Sequence, residues 1–235
     1  MIFPLRANIP GAGRPWGVYL ILAANAAVFC WQRLQPEIMQ EIDIHIFGVT
    51  PDLILQGRKL DTLISYMFMH SGWWHILANL WTFWIFGAGI ERLTGFWRFI
   101  AFYLVCGVVA ALAESLLTSD PELPVVGASG AIAGIMGGYL IRYPRSKVLT
   151  FFFLLFLNIP AYVYMLVWVL LQLLYGTTQG PENDVAWWAH LGGFICGCLI
   201  LPLFERRKPP RDYHQNSAPL QHSILLPPSK RRDGQ

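Results

Sequence analysis

Six runs of mostly apolar residues, each near the length a helix needs to cross a bilayer, dominate this chain. They are Trp16–Arg33, Trp73–Ile90, Phe96–Leu117, Val125–Tyr143, Val148–Tyr175 and Val185–Phe204. About 20 helical residues span a hydrocarbon core of about 30 Å. A water-soluble domain holding such runs would need a charged skin, and here only 13% of residues are charged, about half the usual share. Ten Trp, nine Tyr and fifteen Phe suit membrane interfaces. The runs are continuous rather than alternating, which argues against an outer-membrane barrel. A single soluble globule, a disordered chain and a disulfide-stapled scaffold are excluded. Cys30, Cys106, Cys196 and Cys198 all lie in apolar stretches, read as packing groups without disulfide or metal.

The sparse charge carries orientation. With the N-terminus cytoplasmic, fourteen of the seventeen Lys and Arg residues fall on the cytoplasmic side, leaving Arg33, Arg58 and Lys59 outside. Nine of the fourteen acids fall in outer loops. Cytoplasmic loops carry the excess of Lys and Arg, so six helices with both ends in the cytoplasm are expected. Residues 1–15 form a cytoplasmic segment, 16–204 the six-helix domain, and 205–235 a disordered basic tail near anionic lipid heads. The N-terminus lacks signal-peptide features, so the first run is expected to stay as a span. Residues 34–72 form an outer loop, too charged to span, that is expected to lie against the outer leaflet. The fifth run, broken by Asn158 and Pro160, is expected to tilt, kink or lie partly in the interface.

Polar groups are costly in lipid, so each one inside a run is a candidate site. The second run opens with His75-Ile-Leu-Ala-Asn79, whose i, i+4 spacing puts both side chains on one helix face. Packing or interfacial hydrogen bonding explains that pair as well as catalysis does. The fourth opens with Gly127-Ala128-Ser129-Gly130 and the sixth with Ala189-His190. Alone, the first of these fits helix contacts, and the second an interfacial histidine. Together they sit at the outer ends of spans that run outside to inside, at one depth. Gly130, Gly134 and Gly138, with Gly193 and Gly197 on the last span, recur at the small-xxx-small spacing that lets helix backbones approach. Packing through them brings Ser129 within reach of His190. A serine hydroxyl needs a neighbouring base, and neutral His190 is the base so placed. The Ser129 N–H at a helix start, with His75 and Asn79, can meet a developing oxyanion. Glu114, within the third span, reads as a loop anchor or helix contact, and no acid is placed to orient His190.

At these residues the sequence resembles the rhomboid intramembrane serine proteases. The resemblance covers about residues 16–204 and rests on His70-Ser-Gly-Trp-Trp-His75-Ile-Leu-Ala-Asn79, Gly89-Ile-Glu91-Arg-Leu-Thr-Gly95, Gly127-Ala-Ser129-Gly130 and Ala189-His190-Leu-Gly-Gly193 with Gly197. It implies an all-α, six-helix polytopic bundle with a Ser129–His190 catalytic dyad, and His75, Asn79 and the Gly127 loop stabilising the oxyanion. Glu91 and Gly95 match a cytosolic-end feature that looks structural. Some members carry an aromatic four residues beyond the serine, packed on the histidine; here it is Ala133, which implies a differently positioned or less firmly held His190. The Trp-Arg pair of many members' outer loops is absent, with Gly57-Arg58-Lys59 nearby.

The expected function is therefore a serine endopeptidase cutting transmembrane protein substrates near the outer face, without metal or other cofactor and with no nucleic-acid partner. Oligomeric state and natural substrate stay open. A bacterial cytoplasmic membrane is expected because no seventh span is visible. Two alternatives are a catalytically inactive rhomboid-like protein that binds membrane clients, and a small transporter or channel. The first should lack the serine or histidine. The second should show midplane charges or duplicated broken helices.

Overall fold

The computed structural model describes residues 3–7, 14–152, 155–178 and 185–206. The tail from residue 207, together with Glu182 and Asp184, lies outside the described residues. Nine α-helices and three strands occur among those described. Helices α1 (Trp16–Leu34), α5 (Trp73–Thr94), α6 (Phe96–Leu117) and α9 (Trp187–Phe204) match four of the apolar runs closely. Of the described helices, α1, α6 and α9 are long and apolar enough to cross a membrane by length and composition.

Residues 34–72 fold into α2 (Glu37–Phe47), α3 (Pro51–Leu55), α4 (Thr62–Ser65) and a 3-10 turn, Tyr66–Phe68. Ile38, Ile42 and Ile46 form an exposed stripe along α2. The fourth run becomes extended chain followed by α7 (Ser129–Arg142), a helix of 14 residues buried continuously from Gly130 to Tyr139. Helices α5, α6 and α9 surround it. Gly193 and Gly197 of α9 have no room for a side chain, because a Cβ would collide with the carbonyls of Gly130 and Gly134.

The fifth run is not one helix. Its first part folds as β2 (Lys147–Phe152) and β3 (Leu155–Pro160), and only α8 (Ala161–Thr178) is helical. Strand β1 (Phe3–Ala7) pairs antiparallel with β2, which is central, and β2 with β3 in the register Leu149↔Asn158. The cause is local. Val, Thr and Phe side chains suit a pleated strand, and Pro160, lacking an N–H, suits the position just before a helix.

Two buried carboxylates fasten helix starts to neighbouring helices. Glu91 of α5 accepts the N–H groups of Gly17 (2.8 Å) and Val18 (2.9 Å) at the start of α1. Glu114 of α6 accepts the Ala189 N–H (2.8 Å) in the first turn of α9. Each meets backbone donors that the helix itself cannot satisfy, at the end where negative charge is favoured.

Candidate functional site

The starts of α5, α7 and α9 converge, and with them the polar residues singled out in sequence. Ser129 is the first residue of α7, so its N–H has no carbonyl one turn back within the helix. The chain reaching it is pinned on both sides. Val125 and Val49 exchange two backbone hydrogen bonds (2.7 and 2.9 Å), and the Gly127 N–H donates to the Tyr66 carbonyl (2.9 Å). Tyr66, fully buried, donates its hydroxyl to the Gly107 carbonyl (2.6 Å), which ties the α1–α5 connection to α6.

Gly127 has φ +125°, a region that a side chain rarely adopts. A Cβ there would lie 2.6 Å from His75 Nε2 and 3.7 Å from Asn79 Nδ2. His75 and Asn79 thus face the loop that carries the serine. His75 Nδ1 sits 3.0 Å from Ser71 Oγ. Asn79 Nδ2 is buried and has no acceptor among the described residues. Just upstream, Gln32 clasps the backbone of His70: its amide donates to the His70 carbonyl (3.3 Å) and accepts the His70 N–H (3.1 Å). Burial, with His75 adjacent, pushes the His70 imidazole down to about 3.

Ser129 Oγ and His190 Nε2 lie 2.7 Å apart. The close backbone packing of α7 on α9 sets this distance, since Gly130 and Gly193 are one residue beyond Ser129 and three beyond His190. On the other side of the ring, His190 Nδ1 lies 2.7 Å from Gln172 Oε1 on α8. Trp168 lies 5.9 Å from the imidazole at a tilt of 39°, and Trp187 meets it edge-on at 6.0 Å. Ala133 is buried and leaves the ring to these neighbours. Gln172 was missed in sequence, although a lone amide in an apolar helix was the available signal. Gly134 and Gly197 lie deeper, in the helix contact rather than beside the serine. Among the described residues no group of three or more His, Cys, Asp or Glu is placed to hold a metal ion.

A hydroxyl at the start of a helix, an imidazole nitrogen at hydrogen-bond distance, and a buried amide donor beside a glycine loop can activate a nucleophile and receive an oxyanion. Comparison with known proteins agrees with the motifs. Residues 57–207 match the Rhomboid domain. RHOMBOID-like protein 5 of Arabidopsis thaliana is 31% identical over 148 residues, covering 63% of this chain and 45% of that protein. Rhomboid protein 1, mitochondrial, of Saccharomyces cerevisiae is 28% identical over 195 residues, covering 77% of this chain and 51% of its own. Rhomboid protease GluP of Bacillus subtilis is 27% identical over 128 residues, covering 54% of this chain and 25% of that protein. The chain spans about half the length of the first two. The chain belongs to the rhomboid family of membrane proteins.

Proposed function

We propose that this protein is an intramembrane serine endopeptidase, with Ser129 as nucleophile and His190 as general base. The observation that carries this reading is the 2.7 Å contact between Ser129 Oγ and His190 Nε2 at the start of a buried helix. In the reaction His190 Nε2 takes the hydroxyl proton as Ser129 Oγ bonds to the scissile carbonyl carbon. The resulting oxyanion is met by the Ser129 N–H, the His75 and Asn79 side chains and the Gly127 loop. His190 then returns the proton to the leaving amine, and water hydrolyses the acyl-enzyme by the reverse roles.

The proposed setting is a chain crossing the membrane six times, both ends cytoplasmic, with the site toward the extracytoplasmic face of a bacterial cell membrane. Its support is the charge distribution along the sequence. A 14-residue α7 rises about 21 Å, less than the hydrocarbon thickness, so a serine at its first residue lies below the outer surface. Substrates are transmembrane segments. A helix must unwind before its carbonyl is accessible, which favours small, helix-destabilising residues at the cut.

The test is reconstitution with a fluorescent transmembrane substrate, comparing the native protein with Ser129→Ala and His190→Ala. Cleavage is expected only with the native protein. Cleavage that survives Ser129→Ala overturns the dyad. Absence of cleavage by every variant over many substrates points to client binding instead.

A further inference from the structure

Gln172 is the only amide side chain of α8, a helix without charged residues, and it is nearly fully buried. A buried amide needs partners at both ends, and Gln172 has them. Its Nε2 donates to the Trp168 carbonyl one turn earlier (3.4 Å), and its Oε1 lies 2.7 Å from His190 Nδ1. The first contact fixes which end of the amide faces the ring. Flipping the amide would set its oxygen against the Trp168 carbonyl oxygen, two acceptors with no hydrogen between them. An oxygen facing Nδ1 can only accept, so the single hydrogen of the neutral imidazole belongs on Nδ1. The lone pair is then left on Nε2, 2.7 Å from Ser129 Oγ.

We infer that Gln172 is a positioning residue for His190, holding the imidazole in the Nδ1–H tautomer with Nε2 turned to Ser129. The inference rests on the protease reading above and deepens it. The chemistry is that of an orienting acid with one difference. An amide oxygen fixes the tautomer and ring plane as a carboxylate does, but carries no full charge to stabilise the imidazolium formed during proton transfer. It also adds no charge to the apolar helix, where a carboxylate would be expensive. Trp168 belongs to the same arrangement, since its carbonyl sets the amide and its indole flanks the imidazole.

The test uses full-length protein in lipid, with ¹⁵N-labelled histidine and the His190 signals assigned by their loss in His190→Ala. In the native protein at neutral pH the hydrogen is expected on Nδ1. Gln172→Met, similar in size and apolar, is expected to move His190 to the Nε2–H form or a mixture. It should lower kcat about 10- to 100-fold while KM changes by less than about two-fold. Gln172→Glu is expected to keep the Nδ1–H form and much of kcat, and to move the acid limb of the pH–kcat profile to higher pH, because an ionised carboxylate favours the protonated ring. A native His190 with its hydrogen on Nε2, or a Gln172→Met protein with unchanged Nδ1–H signals, overturns the inference. The native tautomer is read without any variant at residue 172, so a misfolded variant leaves that result standing. Cleavage surviving Ser129→Ala removes the protease reading without altering the tautomer result, so the two failures are distinguishable.

Discussion

Asn79 Nδ2 is a buried donor without an acceptor among the described residues, a costly arrangement unless the donor is used during function. Replacing Asn79 by Ala is expected to lower kcat by about 10²–10³-fold, the usual effect of losing one oxyanion donor. Steady-state kinetics would check this, with KM little altered. His70 makes a different prediction. Its imidazole is held neutral down to about pH 3, whereas in the unfolded chain it protonates near its ordinary value. Stability is therefore complete above about pH 6.5 and is lost as pH falls toward 3, by up to about 1.4 kcal/mol per unit. Thermal midpoints between pH 7.5 and pH 4 should fall in the native protein and fall less in His70→Phe. At this scale the sequence was informative where polarity stood out against lipid, as at Ser129, His190, His75 and Asn79. Gln172 carried the same signal but was passed over, and its link to a histidine 18 residues later depends on how α8 is rotated against α9, which no local pattern encodes.

Buried carboxylates serve as helix caps supplied from outside the helix they cap. Glu91 holds two amides at the start of α1, and its loss would leave both donors buried without an acceptor. Glu91→Ala is expected to lower stability by about 2–3 kcal/mol, read as a drop in thermal midpoint, with Glu91→Gln recovering part of the loss. Gly193 is limited by space: the Gly130 carbonyl already occupies the position a side chain would take. Gly193→Val is expected to force α9 away from α7, and labelling of Ser129 by a serine-reactive fluorophosphonate should fall at least about ten-fold. The ends of α6 could be read directly from the sequence, because apolar length and the flanking Gly95 and Thr118 agree. The fifth run was harder. A continuous apolar stretch fits a buried helix or a pair of strands equally well by pattern, and strand-favouring Val, Thr and Phe together with pairing to β1 accompany the hairpin.

Across the whole molecule the outward surface is apolar where a soluble protein would be charged. Leu166 and Leu170 on α8, and Ile195, Leu199 and Leu203 on α9, are all exposed, a belt that water would not tolerate and lipid tails would. Leu199→Lys is expected to reduce membrane-inserted protein, measured as the yield recovered from the bilayer fraction, while Leu199→Ala leaves it nearly unchanged. The mostly helical architecture was legible because bilayer thickness fixes helix length; the small sheet was not, because β1 lies far from β2 in sequence. The pairing of β1 with β2 also orders events in time. Strand β1 is made first, yet its partner begins only at Lys147, with α1, α5, α6 and α7 synthesised between them. At about 5–20 residues per second, the wait is on the order of 7 to 30 seconds. Until β2 emerges, Phe3–Ala7 has no strand to join, so the sheet closes after most of the helices have been made. Its closure joins the first residues of the chain to the connection leading into α8.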